Sequence, residues 1–335
     1  MVLNAWQVNQ AEVKNIPLLS VDTPPCIFPL FPCIWFFFWN NFCIFPGMSG
    51  KMRFSLIPLL VVSALPARAG YQFFKAPVEE SLWTVDSSPL LCRLRHPIPG
   101  YGEAEFAHRV KGELEFSLHV KQAASRPEQA RLLSRSPEWK HVADNRDFGS
   151  LPVVEGNTPF YLQDGWAARL VAELAEGMEL QFIYRDWADG SDEVTATVRP
   201  INFTSALADF QQCEQQLLNF GFEDVRQTVI LYGFGKTALD GDSRHRLDRM
   251  IRYMKLDPAV RGVRIDGYTD SKGLQRVNRV VARRRANAVR DYFIQQGVDG
   301  ERISTHAHSE LEGRFNNRTA EGRRKNRRVE VTLIR

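Results

Sequence analysis

The hydrophobic pattern of this chain changes at residue 223, and the change constrains the fold more than any other feature of its 335 residues. In 83–120, apolar and polar residues alternate with a period of two, which is typical of half-buried β-strands. Beyond residue 223, short β-branched runs alternate with segments of helical period. The sequence therefore predicts an α+β protein, with a mainly antiparallel β domain over 70–222 and an α/β domain over 223–335.

The same periodicities place individual elements. The β domain is expected to contain strands at 179–184 and 193–198 and helices at 165–176 and 205–218. In the second domain the expected order is βαβαββ around a small mixed sheet. Its expected elements are strand 225–232, helix 242–255, strand 262–267, helix 275–295, strand 303–308 and strand 328–334.

The first 69 residues have the composition of a targeting segment. Residues 26–46 are apolar and of roughly membrane-spanning length, but prolines and asparagines interrupt them. A short positive segment, an apolar run and a small-x-small pattern ending at Ala69 then match a secretory signal peptide. We expect translation to begin at Met52, so that 1–51 are an upstream mis-start segment and 52–69 are a cleaved signal peptide. A membrane anchor at 26–46 is the alternative; otherwise the mature chain is expected to have no membrane span.

The cysteine distribution agrees with export. Only Cys92 and Cys213 lie in the expected mature chain, because the other cysteines precede residue 52. In an oxidising compartment two cysteines most simply form a disulfide, and two free buried thiols are the alternative. The residue directly after the expected cleavage site is Gly70 rather than cysteine, so a lipid anchor is not expected. Two isolated cysteines also lack the spacing of a metal site.

Charge divides the chain at the same boundary as the hydrophobic pattern. Residues 70–222 hold 14 Lys and Arg against 22 Asp and Glu, a net charge of −8, whereas 223–335 hold 25 against 15, a net charge of +10. Opposite signs indicate that the two domains face different partners. A basic domain can bind nucleic acid, but an exported protein seldom meets any. We therefore expect the partner of the basic domain to be an anionic polymer other than nucleic acid.

A single arginine interrupts the apolar stripe of the long predicted helix. Arg285 lies four residues after Val281 and four before Val289, so its guanidinium is expected to face inward. A buried arginine is costly unless it meets an anion or hydrogen-bond acceptors. Asp270 lies in the loop before this helix. Together the two side chains suit a zwitterionic ligand, but an intramolecular Asp270–Arg285 salt bridge explains the same pattern, and both interpretations stay open.

The sequence predicts no catalytic, cofactor or metal site. Gly235-Lys236-Thr237 has the ending of a phosphate-binding P-loop, but Ile230 occupies the position where that loop requires glycine. His306 and His308 alternate on one strand face and could bind a metal ion, but no third ligand accompanies them. The chain is therefore not expected to be an enzyme.

Five sequence blocks with specific spacing occur in 223–335. They are Gly267-Tyr268-Thr269-Asp270, Asn278-x-x-Val281-Ala282-x-x-Arg285-Ala286, Gly297-Val298, Arg302-Ile303 and Asn326-Arg327-Arg328-Val329-Glu330. Together they resemble the OmpA C-terminal-like family of peptidoglycan-binding domains. The resemblance implies a domain that grips the diaminopimelate of the peptide stem, whose free end is a zwitterion. It implies that the residues in contact with this ligand are Asp270, Arg285, Asn278, Thr269, Asn326 and Arg327.

The chain departs from that family at two segments that border the expected cleft. Around the aromatic residue of the first strand, Tyr232-Gly233-Phe234-Gly235-Lys236 replaces the usual polar residues. After Ile303, Thr305-His306-Ala307-His308-Ser309 replaces a segment that is usually rich in glycine.

Several blocks of the first domain resemble the N-terminal domain of the MotY family, over most of 71–222. The blocks are Ala76-Pro77-Val78-Glu79-Glu80-Ser81-Leu82-Trp83, Cys92, Ile98-Pro99-Gly100-Tyr101-Gly102-Glu103-Ala104, Tyr184-Arg185-Asp186-Trp187 and Cys213. The resemblance implies a single disulfide and a location in the periplasm, at the flagellar basal body and cell wall. It also implies that the N-terminal domain meets flagellar stator and basal-body proteins.

The two resemblances together lead to one expected function. The chain is expected to be a non-enzymatic component of the flagellar motor that binds peptidoglycan and anchors or stabilises stator units around the basal body. The alternative is another OmpA-like wall-anchoring protein, which tethers a different envelope complex to peptidoglycan.

Overall fold

A computed structural model describes residues 70–335, except 142–143, 164, 189 and 309–313. The upstream mis-start segment and the signal peptide predicted for 1–69 lie outside the described residues. Within the described part of the chain, no helix has both the length and the apolar character needed to cross a membrane. The described residues form two domains, each with its own hydrophobic core.

The first domain combines two five-stranded sheets, mainly antiparallel, with two helices. Its strands are β1 (Tyr71–Lys75), β2 (Thr84–Ser87), β3 (Leu91–Ile98), β4 (Gly102–Arg109), β5 (Leu114–Val120), β6 (Glu128–Arg135), β7 (Arg146–Val153), β8 (Phe160–Leu162), β9 (Glu179–Arg185) and β10 (Glu193–Val198). Its helices are α1 (Trp166–Ala175) and α2 (Phe203–Glu214). The strand orders are β2-β3-β4-β5-β8 and β1-β10-β9-β6-β7. Only β1 and β10 pair in parallel among these described strands, so the predicted antiparallel domain is confirmed.

Both sheets of the first domain contribute to one core. Phe116 of β5 stacks on Phe182 of β9 with ring centroids 5.7 Å apart, so this aromatic pair joins the two sheets. Phe203 and Phe210 of α2 are buried in the same core. Burial of one such side chain stabilises a fold by about 1.5–3 kcal/mol. The aromatic residues of this domain therefore serve mainly as core.

A disulfide between Cys92 of β3 and Cys213 of α2 confirms the simpler of the two cysteine predictions. The two residues are 121 positions apart in sequence, and their Cα atoms lie 5.9 Å apart. A polar link lies beside the disulfide. His108, which faces Cys92 in the β3–β4 ladder, contacts the Glu214 carboxylate through Nδ1 at 2.5 Å, and this hydrogen bond raises the pKa of His108. The two links together fasten α2 to the sheet.

The second domain is built on a four-stranded mixed sheet of order β11-β14-β12-β13. Its elements are α3 (Phe222–Val225), β11 (Gln227–Leu231), α4 (Gly241–Leu256), β12 (Gly262–Gly267), α5 (Gln275–Gln295), a 3-10 helix (Gly300–Arg302), β13 (Ile303–Ala307), α6 (Ala320–Asn326) and β14 (Arg328–Ile334). Strands β12 and β13 are parallel, and the other described pairs are antiparallel. The expected α+β class is confirmed.

The structure adds a helix, α6, to the predicted βαβαββ order. The α6 sequence AEGRRKN has no apolar stripe and contains a glycine, so its periodicity does not indicate a helix. Its start is fixed by Thr319, whose hydroxyl accepts a hydrogen bond from the Gly322 N–H at 3.0 Å. The first strand of the domain also begins later than expected, because 222–225 form α3.

The two domains touch one another. Leu90 and Val110 of the first domain pack against the core of the second. The Leu218 N–H, after α2, donates to the Pro89 carbonyl at 2.9 Å. The connection between the domains therefore runs along the first domain and is hydrogen-bonded to it.

Candidate functional site

The residues predicted to bind peptidoglycan gather at one end of the strands in the sheet of the second domain. Because β14 pairs antiparallel with both β11 and β12, the ends of those two strands lie beside the start of β14. Thr269 and Asp270 follow β12, and Arg327 precedes β14. Helix α5 starts a few residues further on and carries Asn278 and Arg285. Sheet topology therefore brings residues from three segments of sequence to the same place.

Arg285 lies on the inward face of α5, as the interrupted stripe predicts, and is 1% exposed. Its guanidinium donates to three backbone carbonyls, those of Lys236 at 2.9 Å, Gly233 at 3.3 Å and Tyr268 at 3.3 Å. Its Cζ atom lies 4.9 Å from the centre of the Tyr232 ring. Burial lowers the pKa of Arg285 from its ordinary value. The carbonyls and the ring are the electron-rich neighbours that make this buried cation tolerable.

Asp270 pairs with Arg327 rather than with Arg285. Its Oδ2 atom accepts a hydrogen bond from Arg327 Nη1 at 2.7 Å, and both side chains are largely buried. Arg327 also donates from Nε to the Tyr232 carbonyl at 3.2 Å. Arg285 makes no ion pair with a carboxylate of the described residues. The Asp270–Arg285 salt bridge, which the sequence left open, is therefore not the arrangement that forms.

The two asparagines hold loops around the site. Asn278 donates from Nδ2 to the Asp270 backbone carbonyl at 3.2 Å. Asn326 is fully buried, and its amide exchanges hydrogen bonds with the Phe315 N–H and carbonyl. It also donates to Asn317 Oδ1 at 2.9 Å, and that oxygen accepts from the Ser271 N–H at 3.3 Å. Asn326 therefore connects the loop before α6 to the loop that carries Asp270.

Two buried hydroxyl groups at the site have no hydrogen-bond partner among the described residues. They belong to Thr269, which the family resemblance indicates, and to Tyr232, which it does not. Burial raises the pKa of Tyr232 to about 12, so its hydroxyl stays protonated and can donate. A buried hydroxyl without a partner is unfavourable, and such groups are common where a ligand supplies the missing bond. The only indication of Tyr232 in the sequence was that 232–236 differ from the usual pattern of the OmpA-like family.

Residues 233–236, which belong to the first segment that differs from the OmpA-like family pattern, cover the Arg285 guanidinium. The carbonyls of Gly233 and Lys236 both accept from it, and Gly235 has a φ of 67°, which favours glycine. The Phe234 ring is 71% exposed, on the outside of this cover. We call 233–236 the covering loop. The covering loop therefore separates the Arg285 guanidinium from solvent.

In the second segment that differs from the family pattern, His308 contacts Tyr268 and Asp266 rather than Arg285. His308 stacks on Tyr268 with ring centroids 4.5 Å apart, and its Nε2 atom lies 3.0 Å from Asp266 Oδ1. His306 is exposed. Within the described residues no group of three His, Cys, Asp or Glu side chains is arranged to hold a metal ion.

Comparisons with known proteins match each domain separately. Residues 74–219 match the family model described as MotY N-terminal domain. Residues 231–327 match the family model described as OmpA family. The second match contains all the predicted site residues and the covering loop.

Similar proteins match either most of this chain or about a third of it or less. The chain is 27% identical over 274 residues to "Sodium-type flagellar protein MotY" of Vibrio parahaemolyticus, which covers 79% of this chain and 91% of that protein. It is 39% identical over 87 residues to "Peptidoglycan-binding protein ArfA" of Mycobacterium tuberculosis, covering 26% of each. It is 35% identical over 108 residues to "Outer membrane porin F" of Pseudomonas aeruginosa, covering 32% of this chain and 31% of the porin.

Two solved structures are similar to about a third of this chain. The peptidoglycan-associated lipoprotein of Burkholderia pseudomallei is 21% identical with a TM-score of 0.30, covering 32% of this chain and 89% of that one. The C-terminal domain of Helicobacter pylori MotB is 23% identical with a TM-score of 0.30, covering 32% and 84%. On the sequence matches, a MotY N-terminal domain at 74–219 precedes an OmpA family domain at 231–327 in this chain.

Proposed function

We propose that this chain is a non-enzymatic component of the flagellar motor that binds peptidoglycan and anchors or stabilises stator units. Its place is the periplasm, at the basal body and cell wall. Support comes from similarity to a flagellar protein along 79% of the chain, joined to an OmpA family domain. The match of 74–219 to the MotY N-terminal model favours the motor over a different envelope complex.

The observation that carries the wall-binding proposal is a buried cation and a buried carboxylate that do not pair with each other. Asp270 suits an ammonium, and Arg285 suits a carboxylate. The diaminopimelate of a peptide stem presents both groups at its free end. Three of the five guanidinium N–H groups of Arg285 donate to carbonyls. Two N–H groups therefore remain for a ligand carboxylate.

The other predicted residues have distinct parts in this proposal. The Thr269 hydroxyl, which has no partner among the described residues, donates to or accepts from the ligand. Arg327 orients the Asp270 carboxylate through their hydrogen bond and yields space to the ligand's ammonium. Asn278 and Asn326 position the loops that carry the binding groups.

Binding requires the covering loop to move. Arg285 is 1% exposed, and the carbonyls of Gly233 and Lys236 lie against its guanidinium. Ligand binding therefore includes an opening step, in which the covering loop withdraws far enough for a carboxylate to reach the remaining N–H groups. If only the open state binds the ligand, the apparent affinity equals the affinity of the open state multiplied by the fraction of protein that is open.

The first domain is proposed to face the motor. Its net charge of −8 contrasts with the +10 of the wall-binding domain, so the two surfaces suit different partners. Stator and basal-body proteins are the proposed partners of this domain.

Sacculus pulldown combined with motility tests the proposal. Asp270→Ala is compared with Asp291→Ala, an exposed carboxylate on α5 that makes no ion pair or hydrogen bond with the described residues. We expect the Asp270→Ala protein to lose most of its binding to sacculi. Cells that carry this variant should assemble flagella but swim poorly. Asp291→Ala is expected to behave as wild type. Normal swimming and normal sacculus binding by folded Asp270→Ala would contradict the proposal.

A further inference from the structure

Three exposed arginines form a row along one flank of α5, away from the sheet. Arg276, Arg279 and Arg283 are separated by three and four residues, a spacing that places side chains on one side of a helix. Together with Gln275 and Val280 they line a groove of about 240 Å³. We call this surface the arginine row.

The charges of the arginine row are not neutralised within the described chain. None of the three guanidinium groups makes a hydrogen bond, an ion pair or a ring contact with a described residue. The first turn of α5 contains no acidic residue. In contrast, Arg335 of the same domain pairs with Asp257 at 2.9 Å. The row is therefore a local excess of positive charge.

The arginine row is unfavourable for the helix that carries it. Like charges three and four residues apart repel each other and weaken a helix. Arg276 is also the second residue of α5, where the helix dipole favours an anion and opposes a cation. Departures of this kind from local preference are expected mainly at functional sites. An external anion would relieve both effects, because it pairs with the arginines and lies near the helix N-terminus.

The arginine row and the candidate wall site lie at the same end of α5 but on different faces of the helix. Asn278 is buried on the inward face and donates to the Asp270 carbonyl at 3.2 Å, whereas the arginines of the row are exposed on the outer face. From Arg276 to Arg283 the row spans about 10 Å along the helix axis. A polymer held at Asp270 and Arg285 by one of its side branches reaches the row by passing around the N-terminal end of α5, which directly follows the loop that carries Asp270.

We propose that the arginine row is a second contact surface for peptidoglycan, which binds carboxylates of peptide stems other than the one held at Asp270 and Arg285. This inference rests on the proposed function and extends it from one stem to the polymer. Exposed Arg–carboxylate contacts are individually weak and screened by salt. They add up on a polymer because the first stem holds the following carboxylates at a high effective concentration.

The test compares a polymer with a single stem. Binding of the chain from residue 70 to purified sacculi, and to a soluble muropeptide with one stem, is measured over a range of NaCl concentrations. The variant is Arg276→Gln/Arg279→Gln/Arg283→Gln. The expected result is a loss of about tenfold in sacculus affinity at low salt, with a flatter salt dependence. Muropeptide affinity is expected to stay within about twofold of wild type.

A control variant separates position from net charge. Arg244→Gln/Arg252→Gln/Arg324→Gln removes the same charge from exposed positions of the same domain, and these side chains also make no hydrogen bond or ion pair with described residues. The control is expected to bind sacculi as wild type does. Thermal melting of both variants verifies that each is folded.

The possible outcomes are distinguishable. If wild type binds neither sacculi nor muropeptide, the proposed function itself fails. If wild type binds both and the arginine-row variant matches it at every salt concentration, only the second surface is rejected. An equal loss in the control variant rejects it too. Binding to phosphatidylglycerol vesicles that needs the arginine row, with sacculus binding unchanged, would assign the row to a lipid surface and overturn the proposal.

Discussion

Asp270 accepts a hydrogen bond from Arg327 at 2.7 Å, and Arg327 also donates to the Tyr232 carbonyl at 3.2 Å. One arginine therefore connects the loop after β12 to the end of β11. The carboxylate proposed to receive the ligand's ammonium already has a cation beside it. A ligand must share this carboxylate with Arg327 or displace it.

Removal of Arg327 is expected to destabilise the fold. Arg327→Ala leaves the Asp270 carboxylate buried without its partner, which should lower the free energy of unfolding by about 2–4 kcal/mol. Urea unfolding measures the change. Arg318→Ala is the control, since that exposed side chain makes no hydrogen bond or ion pair with described residues. Equal unfolding midpoints for the two variants would show that the Asp270–Arg327 pair contributes nothing.

Tyr232→Phe distinguishes a ligand contact from a purely structural ring. The substitution removes a buried hydroxyl that has no described partner, so melting temperature should stay unchanged or rise. If the hydroxyl binds the ligand, sacculus affinity should fall by about five- to tenfold. Melting and pulldown on the same sample give both values. Unchanged affinity would exclude the hydroxyl from the binding site.

The disulfide is expected to contribute strongly to stability. Cys92→Ser/Cys213→Ser releases a constraint between residues 121 positions apart, so the free energy of unfolding should fall by about 4–5 kcal/mol in the chain-entropy model. Non-reducing mass spectrometry establishes the bond in exported protein. Denaturant unfolding and steady-state abundance measure its effect. Alkylation of both thiols in exported wild type would contradict this prediction.

Acid sensitivity is expected to arise from His96. This residue stacks on Trp83 at 4.7 Å, and burial lowers its pKa from 6.5 to about 4. Between these values the unfolded chain binds a proton at this side chain and the folded chain does not. Stability should therefore fall as pH falls through that window, by at most about 3 kcal/mol.

His96→Gln tests this origin of the acid sensitivity. The variant should lose the slope of unfolding free energy against pH between 6.5 and 4, while the exposed-site control His306→Gln should keep it. His108 acts in the opposite direction. Its raised pKa gives stability that is present below pH 6.5 and lost as pH rises through its folded pKa, outside this window. A slope unchanged by His96→Gln would assign the acid sensitivity to other groups.

Elements with strong periodicity were predictable from the sequence. The bounds expected for 262–267, 275–295 and 328–334 coincide with β12, α5 and β14, because each has a clear apolar pattern and clear end signals. Helix α6 was not predictable, since tertiary contacts and the Thr319 cap hold a segment without an apolar face. The inward direction of Arg285 followed from its position among apolar neighbours.

The partners of the site residues were not predictable. Arg285 is satisfied by backbone carbonyls of the covering loop, and carbonyl positions depend on loop conformation rather than on residue type. Arg327 and Asp270 are 57 residues apart and meet only because β12 and β14 are neighbours in the sheet. The sequence therefore indicated the charged groups of the site, while the sheet and the loops decide which of them pair.

The measurement that tests the central claim most directly is sacculus affinity for Asp270→Ala and Arg285→Lys, with melting temperature on the same samples. Loss of one charge-assisted contact, worth about 1.5–3 kcal/mol, should weaken binding by about ten- to hundredfold. Arg285→Lys should fail as well, since an ammonium cannot reproduce the parallel donors of a guanidinium. Arg284→Lys, on an exposed neighbour, should bind as wild type. Folded Asp270→Ala and Arg285→Lys proteins that bind sacculi with wild-type affinity would contradict the assignment of this site to peptidoglycan.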